Sequence, residues 1–142
     1  MRLSILIVDD DLNNRRFLSR VLEQAEYNVL QATSGMEALR QIYAQQVDLV
    51  ITDIFMPGME GLELIRGIRK SRPNLNIIAI SGALDATLLK ELELCEVTAA
   101  LHKPFGPQTL LEVIAALKRH DSPGFRWASG SSDDPASEDL RD

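Results

Sequence analysis

The chain has 142 residues, of which 45% are hydrophobic, and it carries a net charge of −6 at pH 7. This length fits one domain with a terminal segment, and the apolar fraction excludes a wholly disordered chain. No apolar run approaches the roughly 20 residues that span a bilayer and no secretory signal is recognisable, so we expect a cytoplasmic protein without membrane contact. The acidic balance argues against nucleic-acid binding through bulk charge. Cys95 is the single cysteine, which excludes an intrachain disulfide.

Short apolar runs alternate with longer amphipathic segments along the first 119 residues. The runs show no polar alternation, which is typical of parallel strands covered on both faces. Apolar residues at i, i+3 and i+4 spacing mark the longer segments as helices. The predicted strands are residues 3–8, 28–32, 49–52, 77–80 and 99–102, and the predicted helices are residues 13–25, 35–45, 61–71, 86–94 and 107–119.

Five strand–helix units in succession predict an α/β fold with a doubly wound parallel sheet of five strands and five helices. The flavodoxin-like strand order 2-1-3-4-5 is the commonest solution at this length. Ser34 and Glu37 form a predicted capping box at the start of the second helix. In the predicted strand order, strands 1 and 3 become neighbours at the switch point, where ligands bind beyond the carboxyl ends of the strands.

Polar residues stand at those carboxyl ends. Neighbouring strands lie about 4.8 Å apart, so we expect these side chains to converge. Each residue alone has a simpler explanation: Asp11 suits a helix cap, Ser81 an ordinary loop hydroxyl and Lys103 a solvated lysine. Only their joint placement is informative. The residues are Asp9, Asp10 and Asp11 after strand 1, Asp53 after strand 3, Ser81 after strand 4 and Lys103 after strand 5.

Carboxylates held this close repel one another, so a cation must offset their charge. Lys103 is one candidate and a divalent metal is the other. Oxygen ligands favour a hard ion, and two carboxylates with water suit Mg²⁺. The assembly indicates phosphoryl transfer onto a carboxylate, with Asp53 as the nucleophile and with Lys103 and Ser81 binding phosphoryl oxygens.

Four segments resemble the receiver domain of bacterial response regulators: ILIVDDDLNNRRFL, DLVITDIFMPGMEGLELI, IIAISGA and ALHKPFGPQTLLEVI. The resemblance covers residues 3–119. It implies a single-domain response regulator of a two-component system, in which Asp53 accepts a phosphoryl group from a sensor histidine kinase or a histidine phosphotransfer protein. Such a protein catalyses only its own phosphorylation and dephosphorylation. It signals to a downstream protein, here unknown, as a monomer or weak dimer.

The resemblance also assigns roles to individual residues. Asp10, Asp53 and the backbone carbonyl of Phe55 would ligate Mg²⁺, and Asp9 would act through a metal-bound water. Ser81 would hydrogen-bond the phosphoryl group and Lys103 would pair with it. The family's further features would be a cis Lys103–Pro104 bond, a loop shaped by Pro57 and Gly61, and a kinase-docking face that includes Asn14 and Arg15.

Three positions qualify the resemblance. Glu96 stands where a glycine is common before strand 5, so that loop is expected to differ. Ala100 replaces the usual Tyr or Phe of the signalling switch, which puts the ordinary switch in doubt but not the phosphorylation chemistry. His102 precedes Lys103 but alternates to the other side of the strand, so it is expected to be packed or exposed rather than a ligand.

The predicted domain boundary divides a receiver domain, residues 1–120, from a flexible acidic tail, residues 121–142. The tail is rich in Ser, Gly, Pro and Asp and has no apolar period. Trp127 is either a solvated residue of this tail or part of a docking motif. Two other functions remain open: a phosphatase of the haloacid dehalogenase type, with its nucleophile after strand 1, and a pseudo-receiver that binds partners without phosphorylation.

Overall fold

The computed structural model describes residues 2–55, 61–119 and the backbone of 126–129. The strands run in the order β2-β1-β3-β4-β5-β6. This order confirms the predicted doubly wound sheet of five strands and adds a sixth strand to it. The strands are β1 (Ser4–Val8), β2 (Asn28–Ala32), β3 (Leu49–Asp53), β4 (Asn76–Ser81), β5 (Ala99–His102) and β6 (Arg126–Ser129). The helices are α1 (Leu12–Gln24), α2 (Gly35–Ala44), α3 (Gly61–Ser71), α4 (Ala86–Leu94) and α5 (Pro107–Arg119).

The chain divides into two compact units, Met1–Ile77 and Ile78–Asp142. In the first unit, β1 pairs in parallel with both β2 and β3. All five residues of β3 and the last four of β1 are buried. Burial on both faces explains why the sequence of these strands lacks alternation.

The N-termini of the helices follow local capping chemistry. The Asp11 carboxylate accepts hydrogen bonds from the backbone N–H groups of Asn13 and Asn14, which confirms it as the cap of α1. At α2, the Glu37 N–H donates to Ser34 Oγ over 3.2 Å, as a capping box requires. The Glu37 carboxylate, however, accepts from the N–H of Thr33, one residue before the cap.

The C-termini of α1 and α4 end in the same way. Glu26 and Glu96 have φ angles of 70° and 59°, in the left-handed region that usually favours glycine. After α4, the Val97 N–H donates to Leu92 and the Glu96 N–H donates to Glu93, which is the Schellman pattern of hydrogen bonds. The loop before β5 therefore keeps the turn that a glycine would make, with a glutamate in its place.

The second unit contains a strand that the sequence did not predict. β6 pairs in parallel with β5, with Ala99 level with Arg126 and His102 level with Ser129. The connection through α5 makes a strand–helix–strand unit. The segment Arg-Trp-Ala-Ser escaped prediction because it has neither an apolar run nor alternation. Residues 120–125 and 130–142 lie outside the described residues, and the boundary between the predicted domain, 1–120, and the predicted tail, 121–142, stays a prediction.

No helix within the described parts of the chain combines the length and apolarity that a membrane crossing requires.

Candidate functional site

The loop after β1 begins with a buried carboxylate. Asp9 is only 3% exposed. Its backbone N–H donates to the carbonyl oxygen of Ala32 over 3.1 Å, which extends the β1–β2 pairing by one residue. Its Oδ1 accepts the N–H of Asp11 over 2.9 Å. Asp10, between these anchored residues, is exposed.

Asp53 occupies the matching position on the neighbouring strand. The register pairs Val8 with Thr52, so Asp9 and Asp53 follow one residue later on β1 and β3. Asp53 is 8% exposed, and its Oδ1 accepts the N–H of Phe55 over 3.0 Å. Two buried carboxylates thus stand at adjacent strand ends, where isolated negative charges are costly.

Gly61 fixes the far end of the loop that follows Asp53. Its N–H donates to the carbonyl oxygen of Ile54 over 2.8 Å. A Cβ at this position would lie 2.6 Å from both the Asp53 carbonyl oxygen and the Ile54 Cα, closer than real Cβ atoms approach. Only glycine fits here, which supports its predicted role in shaping the loop. Pro57, predicted for the same role, lies outside the described residues.

Arg15 contacts the acidic loop, which the sequence did not indicate. Its Nη1 donates to the carbonyl oxygen of Asp9 over 2.8 Å, and its Nε donates to Gln31 Oε1 over 3.2 Å. Gln31 is in turn held by α2, because Gln41 Nε2 donates to its carbonyl oxygen. The only signal in the sequence was an arginine one helical turn after Asp11, which is too common a feature to predict this contact.

The oxygen donors of the first unit suit a hard cation. Among the described residues, no three His, Cys, Asp or Glu side chains form a ready-made metal cluster. The predicted direct ligands are fewer, namely two carboxylates and one carbonyl, with water completing the shell as Mg²⁺ prefers. Asp9 and Asp53 each use one carboxylate oxygen for a backbone bond, and a carboxylate offers about four lone-pair sites. The donor set therefore fits Mg²⁺.

The second unit brings Ser81 and Lys103 together. The Lys103 N–H donates to the carbonyl oxygen of Ser81 over 2.9 Å, directly beyond the last β4–β5 pair. Ser81 is completely buried, and its Oγ accepts the N–H of Ala83 over 3.0 Å. The Lys103–Pro104 peptide bond is cis, which confirms the expectation drawn from the resemblance.

The remaining residues of β5 are placed as follows. His102 is half-buried and lies level with Ser81 in the β4–β5 register. Ala100 has no exposed surface and lies between Ala79 of β4 and Trp127 of β6 in register. The switch position of the predicted family is therefore occupied by a buried methyl group, level with the backbone of the sixth strand.

Comparison with known proteins identifies relatives of two kinds. The sensor protein EvgS of Escherichia coli (strain K12) is 35% identical over 127 residues, or 88% of this chain, but the chain spans only 11% of EvgS. The response regulator receiver protein CpdR of Brucella abortus is 34% identical over 113 residues, which is 80% of this chain and 94% of CpdR. Relatives therefore include both long sensor proteins and a short receiver protein.

Similar solved structures also include response regulators. The chemotaxis protein CheY4 of Vibrio cholerae superposes with a TM-score of 0.79 at 30% identity, over 82% of this chain and 98% of CheY4. The response regulator TrrA of Thermotoga maritima, solved in complex with Mg(2+)-BeF, has a TM-score of 0.74 at 33% identity, over 82% of this chain and 99% of TrrA. Residues 5–115 match the response regulator receiver domain. The chain therefore belongs to the response regulator receiver domain family of two-component systems.

Proposed function

We propose that this chain is a single-domain response regulator that accepts a phosphoryl group on Asp53. The donor is the phosphohistidine of a sensor histidine kinase or of a histidine phosphotransfer protein, in the cytoplasm. The bond between phosphorus and the histidine nitrogen breaks as a bond to an Asp53 carboxylate oxygen forms. The nitrogen keeps the electron pair. Water later attacks the phosphorus, which releases phosphate and regenerates the carboxylate.

The position of Asp53 carries this proposal. A backbone N–H holds its Oδ1, and it ends a fully buried strand beside Asp9. The other acids are less suited to be the nucleophile, because Asp11 is occupied as a helix cap and Asp10 is exposed. A phosphatase of the haloacid dehalogenase type needs its nucleophile after β1, and membership of the receiver family favours the carboxylate after β3 instead.

The metal would be held by Asp10, Asp53 and the carbonyl oxygen of Phe55, with Asp9 acting through water. When bound, Mg²⁺ supplies positive charge that offsets repulsion among the carboxylates and the phosphoryl oxygens. Asp9 is fixed in advance by its bonds to the backbone of Asp11 and Ala32. The TrrA relative, whose structure contains Mg(2+)-BeF, supports this cofactor.

Ser81 and Lys103 are proposed to bind the phosphoryl oxygens. The Ser81 hydroxyl oxygen accepts a bond from Ala83, so its proton is suited to donation toward an anionic oxygen. The backbone bond between Lys103 and Ser81 keeps the two residues at one strand end. Lys103 contributes a point charge, the usual role of lysine in phosphate binding.

Signal output is proposed to pass through protein contacts. Leu12 and Phe17 on α1 and Phe55 after β3 are large apolar side chains with 39–60% of their surface exposed. Exposed apolar residues around a site are typical of protein-binding surfaces. Asn14 and Arg15 on the same helix remain the residues proposed for kinase docking. The chain covers 94% of the CpdR receiver protein, which supports action without an attached output domain.

The direct test is phosphorylation followed by intact-mass measurement. The wild-type chain and Asp53→Asn are incubated with acetyl phosphate and Mg²⁺, with Asp11→Asn as a matched control from the cap of α1. We expect the mass of one phosphoryl group to be added to the wild type and to Asp11→Asn, but not to Asp53→Asn. An equal gain in Asp53→Asn would refute the nucleophile, and no gain in any variant would favour the pseudo-receiver.

A further inference from the structure

Arg15 reaches the acidic loop by two routes. Its side chain donates from Nη1 to the carbonyl oxygen of Asp9 over 2.8 Å. Its backbone N–H donates to the carbonyl oxygen of Asp11 over 3.1 Å. The second bond is the first i to i−4 bond of α1, so the contact that depends on the arginine side chain is the one to Asp9. Neither bond is to a carboxylate, so the contact acts on the path of the backbone rather than as an ion pair.

The orientation of the Asp9–Asp10 peptide sets the direction in which the Asp10 side chain leaves the loop. Peptide planes are rigid, so fixing the carbonyl oxygen of Asp9 also fixes the nitrogen of Asp10. Asp10 is exposed and is proposed as a direct metal ligand. Without Arg15 the Asp9 carbonyl would lose a charge-assisted donor, and this peptide would be free to rotate between its neighbours.

The guanidinium is itself held in place. Arg15 Nε donates to Gln31 Oε1, and the backbone of Gln31 accepts a bond from Gln41 of α2. Arg15 is half-buried, whereas the adjacent Arg16 is exposed. Two consecutive arginines thus carry the same charge on the same helix turn, but among the described residues Arg15 is the one that contacts the acidic loop.

We propose that Arg15 is a positioning residue that orients Asp10 for Mg²⁺ binding. This inference rests on the proposed function, because it assigns a role toward the metal of that site. Arg15 affects the Mg²⁺ affinity in two opposite ways, through its positive charge and through its bond to the Asp9–Asp10 peptide. Removing a positive charge near the acids strengthens the attraction for Mg²⁺, whereas releasing the Asp9–Asp10 peptide weakens it. Residues that support metal ligands typically contribute 10–100-fold in metal affinity. We therefore expect the released Asp9–Asp10 peptide to affect Mg²⁺ affinity more than the lost positive charge.

The test is an Mg²⁺ titration of the full chain, followed through the amide NMR signals of Asp10 and Phe55. We expect Arg15→Gln to bind Mg²⁺ about 10-fold more weakly than the wild type. Arg16→Gln, which removes the same charge, is expected to bind as tightly or slightly more tightly. Arg15→Lys keeps a donor and is expected to recover part of the affinity. Affinity of Arg15→Gln equal to or above that of Arg16→Gln would overturn the proposal.

Two further arms separate the possible failures. If circular dichroism shows that Arg15→Gln does not fold, Gln31→Ala replaces it in the titration. This variant removes the hydrogen-bond acceptor of Arg15 Nε and is expected to lower the Mg²⁺ affinity several-fold. Asp10→Asn tests the metal site itself. A wild-type chain that binds no Mg²⁺ would overturn both the proposed metal site and the role of Arg15. Normal Mg²⁺ affinity in the wild type, in Arg15→Gln and in Gln31→Ala would overturn only the role of Arg15.

Discussion

The two outer strands of the sheet, β2 and β6, differ in how they are paired and packed. β2 pairs with β1 over five residues, and α1 and α2 both pack against it. Val29 and Leu30 are half-buried and Ala32 is fully buried. β6 pairs over four residues with β5 and follows α5 after a connection of six residues. An edge strand of this sheet can thus pack against two helices, as β2 does, or follow the last helix of the chain's described part, as β6 does.

The small number of paired residues in β6 limits its contribution to stability. A backbone hydrogen bond contributes about 1 kcal/mol net, and ordering a residue costs about 1–2 kcal/mol. Four residues paired on one side gain at most about what their ordering costs, so we expect β6 to be only marginally stable. The receiver-domain match covers residues 5–115 and therefore ends before β6 begins.

The largest expected effect contrasts the two units at the loops after β3 and β4. Gly61→Ala places a Cβ 2.6 Å from the backbone of Asp53 and Ile54, whereas a Cβ at Gly82 meets nothing within 4 Å. We expect Gly61→Ala to lower the free energy of unfolding by about 3 kcal/mol, because backbone cannot yield as a side chain can. It should also slow phosphorylation of Asp53.

Denaturant unfolding measures this contrast, with Gly67→Ala as a second control. A Cβ at Gly67 of α3 lies 3.5 Å from Cδ1 of Leu39 in α2, an ordinary contact between the two helices, so this variant is expected to gain up to about 1 kcal/mol from helix propensity. Equal unfolding midpoints for Gly61→Ala and Gly82→Ala would show that the loop after β3 relaxes around the added methyl group.

The elements on which the site depends were predictable from the sequence, and the reasons are local. The helices Gly61–Ser71, Ala86–Leu94 and Pro107–Arg119 and the strands Asn28–Ala32 and Ala99–His102 have the predicted bounds, because apolar runs and amphipathic spacing mark them. Two features could not be predicted. Arg15 meets Asp9 through a backbone carbonyl, which leaves no pattern of residue types, and β6 depends on an available edge of β5 rather than on its own composition.

The next prediction compares the two edges directly by native-state amide hydrogen exchange. We expect the paired amides of β2 to exchange only on global unfolding, and those of β6 to open at a cost of about 1–2 kcal/mol. Trp127 is the only tryptophan, so its fluorescence reports on β6 alone. Removing residues 126–142 is expected to lower the free energy of unfolding by about 1 kcal/mol while leaving Asp53 phosphorylation intact. Protection of β6 equal to that of β2 would show that β6 belongs to the core.

A smaller effect concerns the response of the second unit to activation. Ala100 is completely buried and has no side-chain rotamer to change. A ligand shifts a conformational equilibrium only through its different affinity for the two states. Without an aromatic ring on β5, the two conformational states around this strand are expected to differ less in free energy. We expect beryllofluoride with Mg²⁺ to shift amide NMR signals after Asp53 and after Ser81, with small shifts in α4 and α5. Asp53→Asn is the control. Large shifts throughout Ala86–Leu94 and Pro107–Arg119 would contradict this expectation.

The smallest expected effect uses a feature that the two units share. Glu26 after α1 and Glu96 after α4 both adopt positive φ angles, of 70° and 59°. A left-handed conformation costs a residue with a Cβ about 1–2 kcal/mol, whereas glycine adopts it freely. Glycine also loses more entropy on folding, by about 0.4–1 kcal/mol, so only part of the strain is recovered. We therefore expect Glu26→Gly and Glu96→Gly each to raise the free energy of unfolding by about 0.5 kcal/mol, and the double variant to add the two gains.

The alanine variants at the same positions keep the Cβ and are expected to show no gain. Thermal and denaturant unfolding measure the five variants beside the wild type. A gain in the alanine variants equal to that in the glycine variants would assign the effect to lost negative charge in an acidic chain rather than to backbone strain.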